Sequence, residues 1–284
     1  MTWRSWLFVP GDSPRKLEKA VGSGADALIL DLEDAVAPAD KPAARAEVAR
    51  VLQAPAPMAR FVRVNALDTG LTRDDIAATL APGLAGYVLP KCEGPDDVSR
   101  LCRMVADLGG RDDLPVLAIA TETVRAVRRL MRENWRHPRL CGLAWGGEDL
   151  AADLGAAQNR DEGGAYLGPF RMARELTLLA AAEAGVAAID AVFTDFQNPA
   201  ALAGETRAGA VLGFAGKMAI HPAQIPVIHE ALRPEPGEII RARKIIAAMA
   251  AAGDGVARLD GQMLDRPHLR QAERLLARAG ESQG

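Results

Sequence analysis

The segment Val-Leu-Ala-Ile-Ala-Thr-Glu-Thr, residues 116–123, decides the fold class, because a strand-length apolar run passes directly into an acidic residue, Glu122. Residues that can begin a helix follow it. The same arrangement returns at residues 140–150, where Leu-Cys-Gly-Leu-Ala-Trp precedes Gly-Gly-Glu-Asp-Leu and Asp149 takes the acidic position. A buried strand followed by polar groups and a helix is the repeating unit of parallel α/β folds.

Strand-length apolar runs recur along the chain, with helical patterns between them. The eight runs are Trp6–Val9, Ala27–Leu30, Phe61–Val64, Tyr87–Leu89, Val116–Ala120, Leu140–Trp145, Ala188–Phe193 and Lys217–Ile220. They are apolar throughout rather than alternating, as expected of parallel strands covered on both faces. The pattern predicts an α/β chain folded as a (β/α)8 TIM barrel. The alternative, a doubly wound open sheet, usually carries Gly-x-Gly-x-x-Gly after its first strand, and residues 9–12, Val-Pro-Gly-Asp, lack it.

The barrel is predicted to span residues 1–232, and residues 233–284 are predicted to form a C-terminal helical extension. The break between them is Arg-Pro-Glu-Pro-Gly, residues 233–237. Helices are expected at Glu238–Ala252 and Leu269–Ala279, with a glycine-interrupted link between them.

Composition excludes several classes of protein. The net charge is −3 with no basic stripe, so nucleic acid is not an expected partner. The apolar stretches fall short of the ~20 residues that span a bilayer, so no membrane association is expected. The N-terminus lacks a signal-peptide pattern, which favours a cytoplasmic location.

In a TIM barrel the carboxyl ends of the strands meet on one rim, where active sites form. Taken alone, each polar residue there is compatible with a loop salt bridge or a helix cap, but convergence on one rim favours a functional site. The candidates, in strand order, are Asp31, Glu33, Asp34, Arg63, Lys91, Glu122, Asp149, Asp190 and His221.

Glu122 and Asp149 are the predicted metal ligands. They are hard oxygen donors without histidine or cysteine partners, which suits Mg²⁺ with several retained waters. Such a site leaves positions open for a chelating 2-keto or 2-hydroxy acid. Arg63 offers a planar fork that matches a substrate carboxylate. Lys91 is a candidate for a second anion or a developing oxyanion, and a Schiff base with a carbonyl substrate is the alternative role.

Motifs in order across almost the whole chain resemble the citrate lyase β-subunit family, a branch of the HpcH/HpaI aldolase superfamily that includes malyl-CoA and citramalyl-CoA lyases. They are Arg-Ser-Trp-Leu-Phe-Val-Pro-Gly (4–11), Leu-Asp-Leu-Glu-Asp-Ala-Val (30–36), Arg-Val-Asn (63–65), Leu-Pro-Lys (89–91), Glu-Thr (122–123), Gly-Gly-Glu-Asp-Leu (146–150), Lys-Met-Ala-Ile-His-Pro-Ala-Gln (217–224) and Gly-Gln-Met-Leu-Asp (261–265).

The resemblance implies a Mg²⁺-binding TIM barrel that cleaves a carbon–carbon bond in a 3-hydroxyacyl thioester. It assigns Glu122 and Asp149 to the metal and Arg63 to the keto-acid carboxylate. It assigns Asp265, in a C-terminal lid, to chemistry at the α-carbon of the acetyl group. The lid motif of this chain is Met-Leu-Asp, where the family has Met-Ile-Asp. One aliphatic residue, leucine, thus stands in place of another, isoleucine.

The remaining rim residues are expected to orient these groups. They are Asp31, Glu33, Asp34, Lys91, Asp190 and His221. Glu33, Asp34, water and a group from a neighbouring subunit are the alternatives for the base that removes the hydroxyl proton. In the family the lid tends to cover the neighbouring subunit's site, which implies a homo-oligomer, often a trimer.

The expected reaction is cleavage of citryl-CoA, or of a citryl thioester on an acyl carrier protein, to the acetyl thioester and oxaloacetate. The alternatives among enzymes are a malyl-CoA, citramalyl-CoA or methylmalyl-CoA lyase and a malyl-CoA thioesterase. The alternative outside enzymes is a non-catalytic binding subunit. Citrate lyase works with α and γ partner subunits, so these are further candidate partners.

Overall fold

The computed structural model describes residues 3–253 and 255–280, and its larger part is a closed barrel of eight parallel strands. Each strand pairs with the next in sequence, and β8 pairs with β1 to close the barrel. The predicted α/β TIM barrel is therefore confirmed. The strands are β1 Ser5–Pro10, β2 Ala27–Asp31, β3 Ala59–Arg63, β4 Gly86–Leu89, β5 Val116–Ile119, β6 Leu140–Ala144, β7 Ala187–Asp190 and β8 Gly216–Ala219.

A helix, or a pair of helices after β6, follows each of the eight strands. They are α1 Pro14–Ala20, α2 Lys41–Gln53, α3 Thr72–Thr79, α4 Pro95–Asp107, α5 Val124–Leu130, α6 Gly147–Leu154, α7 Gly168–Ala184, α8 Pro199–Leu212 and α9 Gln224–Leu232. Among residues 3–253 and 255–280, no helix is both long and apolar enough to cross a bilayer.

Aromatic and aliphatic side chains fill the barrel interior. Trp3, Trp6 and Phe61 pack edge to face, with ring centroids 4.8–5.3 Å apart. Ile29 and Met218 extend the same buried cluster. Because the interior is a packed core, polar chemistry is confined to the strand ends.

The residues fall into two compact units, Met1–Ala231 and Leu232–Gly284. The second contains α10 Pro236–Ala252, a hairpin of β9 Ala257–Leu259 and β10 Gln262–Leu264, and α11 Arg266–Arg278. A separate hydrophobic cluster joins its helices, with Ala242 of α10 and Leu276 of α11 both buried.

Both helices of this second unit begin earlier than predicted. Helix α10 starts at Pro236 rather than Glu238, and α11 starts at Arg266 rather than Leu269. Pro236, part of the predicted break, and Pro267 each lie in the first helical turn, where the missing N–H costs nothing. The β9–β10 hairpin was not predicted, although its two-residue turn is Asp260-Gly261, with φ of 49° and 78°. Positive φ at both positions is the signature of a type I′ hairpin turn.

Candidate active site

A cavity of about 420 Å³ opens at the carboxyl ends of the barrel strands. Five of the predicted site residues line it together, and these are Asp31, Asp34, Arg63, Glu122 and Asp149. Its remaining wall is largely apolar and includes Phe8, Ile119, Trp145, Ala191, Val192 and Met218. The cavity therefore presents a charged face opposite surfaces suited to a hydrocarbon group.

Glu122 lies in the loop between β5 and α5, and its side chain is almost fully buried. Its Oε2 accepts a hydrogen bond of 2.5 Å from the backbone N–H of Lys91. Burial, followed by repulsion from Glu33 and Asp149, raises the pKa of Glu122 to about 8. The positive charge of Arg63 thus does not offset burial and the neighbouring carboxylates, and a bound cation would add to it.

Gly146 makes room for Glu122. A Cβ at Gly146 would lie 2.6 Å from Cγ of Glu122, closer than two carbon atoms can approach. The backbone here has φ of −121°, so glycine is needed for space and not for an unusual conformation. Gly146 of the Gly-Gly pair after β6 therefore leaves space for the carboxylate that follows the neighbouring strand β5.

Asp149 lies in the first turn of α6, where the helix dipole favours a negative charge. Its side chain is about one-third exposed, and its Oδ1 is 3.4 Å from the ammonium nitrogen of Lys91. Asp149 is thus a helix-start charge, and this does not conflict with ligation, because the side chain also lines the cavity.

The donor set fits a hard divalent cation. Within the described residues no group of three or more His, Cys, Asp or Glu side chains is arranged around a common metal position. Glu122 and Asp149 would thus be two protein ligands, with the other positions left to water or substrate. Carboxylate oxygens with several retained waters are the environment that Mg²⁺ prefers.

Arg63 ends β3, and its guanidinium is held along one edge by Asp31, the residue paired with it on β2. Nε and Nη2 of Arg63 donate to the two Asp31 oxygens at 2.7 Å each. Nη1 lies 2.9 Å from Oε2 of Glu33, but this contact is an ion pair without hydrogen-bond alignment. Desolvation of the buried guanidinium lowers the pKa of Arg63, but the attraction of these carboxylates outweighs it. The pKa of Arg63 therefore lies above its ordinary value. Donors on the outer edge remain for a substrate carboxylate.

Lys91 follows β4 and has an unusual backbone, with φ of 48°. Its Nζ is 2.5 Å from Oε1 of Glu33 and 3.5 Å from Oδ2 of Asp34. Burial raises the pKa of Glu33 to about 6 against the attraction of Arg63 and Lys91. Glu33 therefore lies between the two cations of the site and contacts both.

Asp190 and His221, also predicted to orient ligands, make their contacts elsewhere. Asp190 ends β7 and is buried, with Oδ1 accepting a hydrogen bond of 2.7 Å from Nε1 of Trp145. Arg174 donates to both of its oxygens, and the Nζ of Lys217 is 3.5 Å away. Asp190 thus acts on the cavity through the indole of Trp145. His221 is exposed, and its ring stacks on Phe196.

Burial alone would raise the pKa of Asp190, but Lys217 and Arg174 hold it at about 2. The carboxylate is therefore fully ionised at neutral pH. The buried Lys217 is further paired with Glu205 at 2.8 Å.

Asp265 belongs to the C-terminal unit and directly precedes α11. Its Oδ1 lies 2.6 Å from Nδ1 of His268, one turn into that helix. These contacts are those of a residue that caps the start of a helix. The role in proton transfer that the family resemblance implies remains a prediction.

Sequence reasoning missed most of the cavity wall. Trp145 was counted as the end of an apolar strand, yet it follows β6 and lines the cavity. Phe8, whose ring lies 4.7 Å beneath the guanidinium of Arg63, was likewise assigned to a strand interior. Only Gly146 carried a recognisable signal, because paired glycines after a strand indicate close approach of another group.

The family model of HpcH/HpaI aldolase/citrate lyase matches residues 4–222. A (3S)-malyl-CoA thioesterase from Cereibacter sphaeroides is 36% identical over 286 residues, covering 98% of this chain and 94% of the relative. The crystal structure of CitE from Mycobacterium tuberculosis in complex with magnesium, acetoacetate and coenzyme A is similar with a TM-score of 0.82 and 36% identity, covering 99% of each chain.

A second structure from Mycobacterium tuberculosis, the citrate lyase β subunit complexed with oxaloacetate and magnesium, has a TM-score of 0.68 and 37% identity over 82% of this chain and 98% of the other. Magnesium, the cofactor predicted from the two carboxylates, is present in both solved relatives. The match of the family model over most of the chain, together with these relatives, makes the chain a member of the HpcH/HpaI aldolase/citrate lyase family.

Proposed function

We propose that the chain is a magnesium-dependent carbon–carbon lyase that cleaves citryl-CoA, or the equivalent carrier-protein thioester, to the acetyl thioester and oxaloacetate. The observation that carries this proposal is one cavity shared by Glu122, Asp149 and Arg63. Two carboxylates for a cation and one guanidinium for an anion match the recognition of a dicarboxylate keto acid. The solved relatives that hold magnesium with oxaloacetate or acetoacetate support it.

Glu122 and Asp149 would hold the metal. When bound, magnesium supplies Lewis-acid stabilisation of the negative charge that develops on the substrate hydroxyl oxygen. Arg63 binds the far carboxylate of the oxaloacetate half with the outer edge of its guanidinium, while Asp31 fixes the plane of the fork. The substrate is thereby oriented with its scissile bond in the cavity.

The hydroxyl proton leaves to a carboxylate near this charged face. Asp34 lines the cavity, and Glu33 has a pKa of about 6, close to the value that suits a general base at neutral pH. As the carbon–carbon bond breaks, its electron pair moves into the thioester enolate. Asp265 of the lid motif, or water, then delivers a proton to the α-carbon, which completes the acetyl thioester.

The proposal also includes the assembly expected from the family resemblance. A homotrimer would supply Asp265 from a neighbouring subunit, and the acyl group would arrive on CoA or on a carrier protein. Citrate lyase α and γ subunits are candidate partners in the second case. The expected cytoplasmic location fits either source of the thioester.

A malyl-CoA thioesterase is the second candidate, because a relative of that activity matches almost the full length of the chain. Hydrolysis of the thioester would release malate and leave the carbon–carbon bond intact. Product analysis after incubation with citryl-CoA, malyl-CoA and citramalyl-CoA separates the two. Release of acetyl-CoA together with a keto acid supports the lyase, whereas free CoA with an intact hydroxy acid would establish the thioesterase.

The metal assignment has a direct calorimetric test. Glu122→Gln and Asp149→Asn should each abolish measurable Mg²⁺ binding, and with it Mg²⁺-dependent oxaloacetate binding, because each removes half of the protein's ligand set. Glu175→Gln is the control, since Glu175 is an exposed acid on α7 that does not line the cavity, whereas Glu148 does. Unchanged Mg²⁺ affinity in the first two variants would refute the metal site.

A further inference from the structure

The ammonium group of Lys91 lies among carboxylates that include one of the two proposed metal ligands. Its Nζ is 2.5 Å from Oε1 of Glu33, 3.4 Å from Oδ1 of Asp149 and 3.5 Å from Oδ2 of Asp34. Glu33 is almost fully buried, whereas about a third of the Asp149 side chain and half of that of Asp34 are exposed. The ammonium group of Lys91 is therefore held by the buried Glu33, whereas its contacts with the partly exposed Asp149 and Asp34 can rearrange.

The backbone of Lys91 serves the other proposed ligand. Its φ of 48° places it in the left-handed region, which is uncommon for a residue with a Cβ. In this conformation its N–H donates to Oε2 of Glu122. A strained backbone persists where the surroundings fix it, often at functional sites. One residue thus contacts both proposed ligands, Glu122 through its main chain and Asp149 through its side chain.

In this arrangement the ammonium group of Lys91 and a metal ion bound to Asp149 would repel each other. A divalent ion bound to Asp149 would lie within a few ångströms of the ammonium group, and repulsion between like charges rises steeply at such separations. The ammonium group cannot diffuse away as a solution cation would, because it is part of the Lys91 side chain and is held by Glu33. It can only turn toward Asp34 and solvent.

We infer that Lys91 is a built-in competitor for the metal site, whose ammonium group holds Asp149 in the metal-free protein and weakens Mg²⁺ binding. The residue is a positioning residue that acts through Asp149. This inference rests on the proposed function only in taking Glu122 and Asp149 as the metal ligands.

The test is calorimetric titration of the full-length protein with Mg²⁺ alone. Lys91→Met removes the charge and keeps the backbone conformation, so its Mg²⁺ dissociation constant should fall by at least about tenfold. Lys91→Arg is the matched control, because it retains both the charge and the Cβ, and it should stay within about threefold of the wild type. A merely structural role would weaken binding in the Met variant.

Ionic strength gives an independent readout. Because the Lys91 side chain is one-third exposed, added salt screens its repulsion, so the difference between wild type and Lys91→Met should shrink from about 0.05 to 0.5 M salt. Lys91→Gln should show the same tightening as the Met variant, and it decides the matter if the Met variant does not fold.

The two hypotheses fail in different ways. If the wild type binds Mg²⁺ and the uncharged variants bind it equally or more weakly, the competitor role is overturned while the proposed function stands. If the wild type binds no Mg²⁺, the proposed function is refuted, and the inference about Lys91 falls with it.

Discussion

At the scale of single residues, the buried carboxylate of Asp190 affects the cavity without lining it. It is tied to Arg174, Lys217 and the indole of Trp145, and only the last of these lines the cavity. Removing a partner from such a buried ionic group leaves the remaining charges uncompensated, which is costly. The pKa of about 2 means that the native state favours the ionised form.

Asp190→Asn should therefore destabilise the protein at pH 7 by about 2–3 kcal/mol, from the lowered pKa alone. The stabilisation from this carboxylate is fully present above the unfolded-state pKa near 3.8, and it is lost as pH falls toward about 2. The gap in unfolding free energy between wild type and variant should thus narrow below about pH 4 and close near pH 2. Urea unfolding across this pH range measures it.

The exposed Asp195 provides the control, because Asp195→Asn should leave stability within about 0.5 kcal/mol of the wild type. A gap for Asp190→Asn that stays constant down to pH 2 would contradict the electrostatic account.

At the scale of secondary-structure elements, the junction of β6 and α6 determines how closely the two acidic loops approach. Gly146 sits against Glu122, and α6 begins one residue later and carries Asp149. The contact joins the loop after β5 to the loop after β6. The relative placement of the two carboxylates is thus set by backbone packing as well as by the side chains themselves.

Gly146→Ala should displace Glu122, because the new methyl group would lie 2.6 Å from its Cγ. We expect Mg²⁺ affinity to fall by at least about tenfold, together with a loss of about 1–3 kcal/mol of stability from overpacking. Calorimetry and urea unfolding measure the two effects separately. Gly204→Ala, where a Cβ meets nothing within 4 Å, should leave Mg²⁺ affinity unchanged. Equal Mg²⁺ affinity in both variants would show that the loop spacing is not critical.

The same elements show what sequence could and could not predict. All eight strands were found, because parallel strands buried on both faces are continuous apolar runs. Helix α6 has a weak sequence pattern, because it is short and begins with glycine, which has a low helix propensity.

Within the site, charged residues were predictable and apolar ones were not. Arg63 and Glu122 were predictable because a charged side chain beside a buried strand is costly unless a partner or a ligand compensates for it. Ile119 and Met218 line the cavity. However, an apolar residue at a strand end gives the same sequence pattern whether it packs in the core or faces a ligand. Only the three-dimensional arrangement separates the two.

At the scale of the whole molecule, the chain divides its proposed chemistry between two compact units. Metal and keto-acid binding are assigned to the barrel, and proton transfer at the acetyl carbon is assigned to Asp265 in the C-terminal unit. A binding step and a chemical step that depend on different units should respond differently to substitution.

Asp265→Ala should reduce acetyl-CoA release by at least about 100-fold, the usual contribution of a general acid or base. Its Mg²⁺-dependent affinity for oxaloacetate should remain that of the wild type. Steady-state turnover and calorimetry test the two halves of this statement. Glu273→Ala, an exposed acid on the same α11, should retain turnover. Full turnover in Asp265→Ala would assign the proton transfer to another group.

The position of Trp145 has a practical consequence. The chain has four tryptophans, and Trp3 and Trp6 belong to the aromatic cluster inside the barrel. Trp145 alone among the described tryptophans borders the cavity, with its indole nitrogen fixed by a carboxylate. Its fluorescence emission is therefore an intrinsic optical reporter of occupancy. Binding to this pocket can be followed by spectroscopy without attaching a label.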